Sequence, residues 1–249
     1  MPFYSTQRSQ RIKLLKIQDF TKEDYLSGKV LCFDKPLHWT SFQLVNKVRW
    51  LIKQQFGIKK IKVGHAGTLD PLATGLVIIC TGKATKTIPD LMGKPKVYTG
   101  EMTLGATRPS FDMETEIDKE FPFQHLDAEI IKAKTSVFTG KILQQPPVFS
   151  ALKKDGKRLY EYARKGESVD IPKREVLIES FEITSINLPK LTFKVKCSKG
   201  TYIRSLAHDF GQALDSGAYL SGLRRTAIGE FSLDNALTLE DFTETLQRL

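Results

Sequence analysis

The residues best placed by type and spacing to do chemistry lie in one polar interruption of an apolar region. Gly64-His65-Ala66-Gly67-Thr68-Leu69-Asp70-Pro71 runs on through Leu72-Ala73-Thr74-Gly75 into the apolar run Leu76–Cys80. Pro71 disfavours the helical region for Asp70 and biases it to extended backbone. Gly64 and Gly67 permit positive φ or close backbone approach. Such a loop can present a carboxylate in a fixed direction, as a nucleophile or a proton acceptor needs. An Asp-Pro pair is also a common turn element, and Asp70 alone could merely cap the turn at Thr74. Other candidates have equally plain roles open to them. Tyr98 and Tyr202 could be sheet or core aromatics, Leu223 core, His65 a satisfied loop histidine, and Arg204 a surface arginine at a helix start.

The elements that must hold this loop are readable from periodicity. A strand is expected over Lys29–Phe33. Thr40 or Ser41 then caps a helix whose apolar positions are Leu44, Val45, Val48, Leu51 and Ile52, with Gly57 as its stop. Lys60–Val63 and Leu76–Cys80 read as strands flanking the loop, and Lys96–Leu104 as another. Asp127–Phe138 fits a helix. Lys154-Asp155-Gly156 is a turn before a helix over Lys157–Lys165. Val176–Ile186 and Leu191–Cys197 form a strand pair joined through Asn187-Leu188-Pro189. Tyr202–Leu214 and Leu239–Leu249 are helices, the second capped by Thr238. Strict βαβ alternation is absent. The expected class is therefore α+β, with a mixed, largely antiparallel central sheet and flanking helices.

Composition narrows the function classes. The 249 residues are 41% hydrophobic, which allows a sizeable core. Lys and Arg number 38 against 28 Asp and Glu, a formal net charge of +10 that favours a polyanionic partner. The three cysteines, Cys32, Cys80 and Cys197, are widely spaced in apolar runs and read as reduced, buried thiols. His38, His65, His125 and His208 pair with no cysteine or second histidine at ligand spacing, so no metal is expected. No stretch has the length of a membrane span, and MPFYSTQRSQRIKLLKIQ lacks a signal-type apolar run, so the expected location is cytoplasmic, with no membrane partner.

The 23 residues GHAGTLDPLATGLVIICTGKATK, 64 to 86, resemble the signature of the TruB family of pseudouridine synthases. Lys35-Pro36 before them resembles the family's lysine–proline element. Lys96-Val97-Tyr98, Leu104-Gly105-Ala106-Thr107 and Asp112 follow in the family's order. Then come Pro146-Pro147-Val148-Phe149-Ser150-Ala151, Cys197-Ser198-Lys199-Gly200-Thr201-Tyr202-Ile203-Arg204 and Leu223-Arg224-Arg225. The resemblance covers about residues 29–231. Departures are His38 where the family usually has glycine, and Arg108-Pro109 in place of a polar pair. The 18 residues after Phe231 leave no room for a C-terminal PUA domain. The chain is then expected to be one pseudouridine synthase domain, with a short C-terminal helix at 239–249.

The resemblance implies isomerisation of the T-loop uridine of tRNA, position 55, with Asp70 as the essential carboxylate. The reaction breaks the C1′–N1 bond and joins C1′ to C5 with no net redox change or hydrolysis, so no cofactor is expected. A stacked base cannot react, so it must be flipped out. By resemblance Tyr98 stacks on it, Tyr202 and Leu223 line the pocket, His65 sits beside the flipped nucleotide, and Arg204 is the cation partner of the catalytic carboxylate. Lys35 and Lys86, with Lys83 and Arg224-Arg225, would serve phosphates. The expected partner is the T arm of tRNA, bound by a monomer without guide RNA. Other classes remain to be weighed. One is an RNA-binding or tRNA-folding module of the same fold, against which an intact Asp70, Tyr98 and Arg204 argue; another is a synthase acting on a different RNA uridine. A guide-RNA-dependent relative would carry the PUA domain. A glycosidase would need a second carboxylate, and the Asp70 loop has none nearby.

Overall fold

The structure is a computed structural model that describes residues 20 to 248. The N-terminal stretch and Leu249 lie outside the described residues, and with them the reading of the first eighteen residues. The elements in chain order are α1 (Lys22–Ser27), β1 (Val30–Lys35), α2 (Ser41–Phe56), β2 (Val63–His65), β3 (Ala73–Thr81), α3 (Ile88–Gly93), β4 (Lys96–Leu104), α4 (Ala128–Lys134), β5 (Gly140–Gln144), α5 (Leu159–Arg164), β6 (Arg174–Asn187), β7 (Lys190–Cys197), α6 (Ile203–Ala213), β8 (Ala218–Ile228) and α7 (Leu239–Gln247). Two compact units divide them, one of Pro95–Leu223 and one of the residues up to Lys94 with Arg224 onward.

In the unit containing the N-terminal residues, β1 and β2 both pair antiparallel with β3. β3 is buried along almost its whole length, which its continuous run Leu76–Cys80 permits. Leu76, Ile78 and Cys80 pack with Ala66, Leu91 and Ile228. α2 begins at a full capping box, with Thr40 Oγ1 accepting from the Gln43 amide and Gln43 reaching back to Thr40. It ends at Gly57 in the left-handed region. α7 starts at a second capping box, Thr238 with Asp241. Its Phe242 packs edge-on against Phe33 of β1, ring centroids 5.2 Å apart and both side chains fully buried.

In the other unit β7 pairs antiparallel with β4 and β6, and β6 with β5. β6 and β7 alternate buried and exposed residues, so one face meets the core and one meets water. Phe210 of α6 is fully buried and packs edge-on against Phe138 and Phe181.

The α+β class with a largely antiparallel sheet is as expected. Several bounds differ. Lys60–Val63 is not a strand; pairing begins at Val63. Asp127–Phe138 is a short helix with Asp127 as cap, followed by a 3₁₀ turn at Thr135–Phe138. Lys157–Arg158 is a strand before α5. α1 and β8 were not anticipated. All three cysteines are free thiols; burial pushes Cys32 up to about 11. Among the described residues no helix is long and apolar enough to cross a membrane.

Truncating the Phe242 ring should cost about 3–5 kcal/mol of unfolding free energy by denaturant titration, because it opens a cavity against Phe33. Leu143→Ala, on a residue 68% exposed, should change it by less than about 0.5 kcal/mol. Equal effects would mean α7 is not part of the cooperative core.

Candidate active site

Asp70 sits on a connection between β2 and β3 that is tied down at nearly every residue. Ala66 N donates to Ile78 O at 2.9 Å. Ser41 Oγ, buried at the first turn of α2, accepts from Leu69 N at 2.9 Å and donates to Leu69 O at 3.2 Å. His38 N donates to Pro71 O at 2.8 Å, and Ala73 N to Asp70 O at 3.0 Å. The carboxylate is half-buried. The backbone of its neighbours is held on both sides, Leu69 by the Ser41 hydroxyl and Pro71 by the His38 amide, so the fold sets the direction of its Cα–Cβ bond.

The deepest support is Arg225. Its side chain is 1% exposed. Nε donates to Leu76 O at 2.7 Å, Nη2 to Gly67 O at 3.0 Å and Nη1 to Thr68 O at 3.3 Å. A rigid fork of donors thus joins the start of β3 to the loop that carries Asp70. Gly75 makes room for it, and Gly67 supplies the backbone turn of the loop that it grips. Gly67 has φ +97°, and Gly75 has φ +107° with a Cβ position that would lie 2.3 Å from Arg225 O. The sequence reading placed Arg225 with its neighbour among phosphate-binding charges. Its burial and its three carbonyl partners make it an internal cation instead. Arg224 points differently: Nη2 meets Asp34 Oδ2 at 2.6 Å and Nη1 meets Thr74 Oγ1 at 3.1 Å.

Lys35 is fully buried, at 0% exposure. Its ammonium donates to Trp39 O at 2.6 Å and Pro36 O at 2.9 Å, closing the turn that leads into α2. Burial lowers its pKa from 10.5 to about 8, against the opposing pull of Asp70 and with Arg225 adding to the fall. His38 in that turn has φ +65°. The conformation is the left-handed one that glycine adopts freely, so the departure from glycine keeps the turn at a backbone cost of about 1 kcal/mol. His65, at the end of β2, is kept neutral near pH 7, first by burial and then by the Arg225 charge. Its Nδ1 is buried without a hydrogen-bond partner among the described residues. Lys86 and Lys83 are exposed on the 3₁₀ turn Gly82–Thr87. Asp70, His65 and Lys35 therefore belong to one network, while Lys86 stands on the surface of the same unit.

In the second unit, Arg204 on the first turn of α6 is buried against Asp112, Nε to Oδ2 3.5 Å, each side chain 7% exposed. Its Nη1 also donates to Phe149 O at 2.9 Å and Ser110 O at 3.2 Å. Phe111, with φ +63°, turns the chain so that Asp112 can reach Arg204. The Phe111 ring stacks on His208 at 3.8 Å, one helical turn beyond Arg204. Tyr202 precedes α6 and is gripped at both backbone atoms by Gln144, which accepts from its N at 2.8 Å and donates to its O at 3.0 Å. Tyr98 is buried in β4 opposite Val195, and Leu223 is half-buried in β8. Sequence reasoning had Asp112 as a motif residue but missed its pairing with Arg204, and missed Phe111, Gln144 and the inward direction of Arg225. The polar character of Gln144 and Arg225 masked their burial.

Two outcomes test this geometry. Arg225→Met should lower unfolding free energy by about 3 kcal/mol or more, since three buried carbonyls lose a charged donor. Arg225→Lys should recover only part of that, and amide exchange near Gly67 should rise in both. For Lys35, the folded pKa lies below the unfolded one. The unfolded chain therefore holds more protons between about pH 8 and 10.5, and stability should rise with pH there. Urea midpoints at pH 7.5 and 9.5 should show this rise in the parent and lose it in Lys35→Met. Parallel behaviour of both proteins would contradict the buried ammonium.

The chain is similar to known proteins over most of its length. Residues 53–203 match the family described as TruB family pseudouridylate synthase, N-terminal domain, and residues 204–248 match the tRNA pseudouridylate synthase B C-terminal domain. The chain is 57% identical to a tRNA pseudouridine synthase B of Flavobacterium johnsoniae over 91% of this chain and 100% of that one. It is 53% identical to one of Phocaeicola vulgatus over 90% of this chain and 96% of that one. Among solved structures it is similar to a chain of a Cbf5-Nop10-Gar1 complex, with TM-score 0.68 and 29% identity over 92% of this chain and 57% of that chain. With residues 53–248 matched by two family models and a relative so similar across nine-tenths of its residues, the chain belongs to the TruB family of pseudouridylate synthases.

Proposed function

We propose that this enzyme converts the T-loop uridine at position 55 of tRNA into pseudouridine, with Asp70 as the essential carboxylate. Pseudouridine formation in tRNA follows from its family and from the relatives matched over their whole length. The observation that supports Asp70 is the rigidity of its loop, braced by Arg225, Ser41 and the His38 turn. A carboxylate carried on a backbone held at both neighbours starts from a fixed Cα–Cβ direction, and such preorganisation is what positioned catalysis requires.

The chemistry balances without a co-reactant. The C1′–N1 bond breaks, C1′ joins C5, the proton on C5 is lost and N1 gains one. Asp70 supplies the electron pair or proton-accepting oxygen at the stage where the base is detached. Tyr98 offers an aromatic face to the flipped uracil, and Tyr202 and Leu223 offer pocket walls. Arg204 contributes a buried positive charge whose direction Asp112 sets. His65, kept neutral, serves the nucleotide beside Asp70. Lys35 acts from inside, holding the turn ahead of α2, and Lys86 is left for phosphate. The reading without guide RNA is supported by likeness: the chain is 53–57% identical to the synthases and 26–29% identical to the chains of the Cbf5 and H/ACA RNP complexes. The protein is then a single-chain cytoplasmic reader of the T arm.

Asp70→Asn keeps shape and loses charge. It should bind unmodified tRNA transcript with an affinity within about threefold of the parent and form no pseudouridine when products are mapped at single-nucleotide resolution. Conversion at near the parent rate would remove Asp70 from the chemistry, and conversion at another uridine would overturn the T-loop assignment.

A further inference from the structure

The outer face of α2 has no part in the chemistry above, yet its composition is one-sided. Between Asp34 and Asp70 the chain holds no carboxylate and seven cations: Lys35, Lys47, Arg49, Lys53, Lys59, Lys60 and Lys62. Lys35 is buried, and Arg49 is committed to Asn46 Oδ1 and Val63 O. At about 100° per residue, Phe42, Lys53, Asn46, Trp50, Gln43, Gln54 and Lys47 fall on one arc, opposite the buried Leu44, Val48, Leu51 and Ile52. Phe42 is 64% exposed and Trp50 51%. Lys47 Nζ lies over the Trp50 ring at 4.5 Å. Rings, amides and ammonium groups thus alternate along about 12 Å of helix, the rise from Phe42 to Trp50.

We propose that this face is a docking surface for the substrate RNA outside the reacting nucleotide. Phe42 and Trp50 take unpaired bases or riboses by stacking, and Lys47 and Lys53 take the adjoining phosphates. The charge is complementary to a polyanion. Two rings separated by amides and lysines are not the contiguous apolar patch that a protein partner or a second copy of this chain needs. The start of the helix is tied to the catalytic loop, because the buried Ser41, one residue before Phe42, is bonded at both backbone atoms of Leu69, next to Asp70. The inference rests on the reading of Asp70 as the catalytic carboxylate of a tRNA-modifying enzyme and adds where the rest of the RNA is held.

The experiment uses the full chain, unmodified tRNA transcript and two double variants, F42S/W50S and K47Q/K53Q. Thermal unfolding within a few degrees of the parent checks that both fold. Each should raise Kd for tRNA about tenfold while the single-turnover rate at saturating enzyme stays unchanged. K47Q/K53Q should also reduce the slope of log affinity against log salt by about 1.5. The RNA-induced change in tryptophan fluorescence should be smaller in Trp50→Phe, where Trp39 alone reports, than in the parent. Kd and salt slope within twofold of the parent in both variants would overturn the docking surface. A parent that sediments as a dimer, and variants that do not, would overturn it in favour of a second copy. Failure of the catalytic reading looks different: Asp70→Asn would still turn over, whatever the α2 variants did to binding.

Discussion

The arrangement around Asp70 depends on a buried guanidinium. Arg225 places a full charge where water does not reach, and such a charge is tolerated only when its donors are satisfied. Its partners are the loop carbonyls of Gly67 and Thr68 and the Leu76 carbonyl of β3. The cation and the loop therefore need each other: the loop gives acceptors, and the cation fixes the loop. Gly75 follows from this, since the Arg225 backbone occupies the space a side chain there would fill, whereas Gly67 is required by its positive φ.

A second constraint of the same kind runs through Lys35. Its ammonium closes the turn before α2 by bonding Pro36 and Trp39 carbonyls, and that turn in turn supplies the His38 amide to Pro71. Two buried cations thus flank one carboxylate within a single unit, each acting on backbone first. Their charges also set the local electrostatics: Arg225 opposes protonation of His65, and Asp70 opposes the loss of charge at Lys35. Structure and chemistry are coupled through the same few atoms.

Much of this was legible in residue order because local signals agree with the fold. α2 was readable from its Thr40 cap, apolar spacing and Gly57, and β4 and the β6–β7 pair from β-branched and aromatic runs. β8 was not. It carries Gly222 and two arginines in its middle, and the one residue it buries there is Arg225, a charged type, flanked by half-buried positions. Polar residues read as surface unless a partner is visible, and the partners of Lys35 and Arg225 are main-chain carbonyls, which leave no trace in residue types. The Asp70 loop was recognisable as a positioned carboxylate; what positions it was hidden for that reason.

Gln144 shows how narrow such positions are. It bonds the amide N–H of Tyr202 with its oxygen and the carbonyl of Tyr202 with its nitrogen. Only a group with one acceptor end and one donor end can do both. A glutamate of the same shape has two acceptor ends and would face the carbonyl with a lone pair, and a methionine would leave both groups dry. The side-chain amide is thereby a miniature β-bridge: it lends the residue before α6 a strand-like pairing after β7 has ended at Cys197, and it fixes the direction in which the helix sets out before Arg204 is reached.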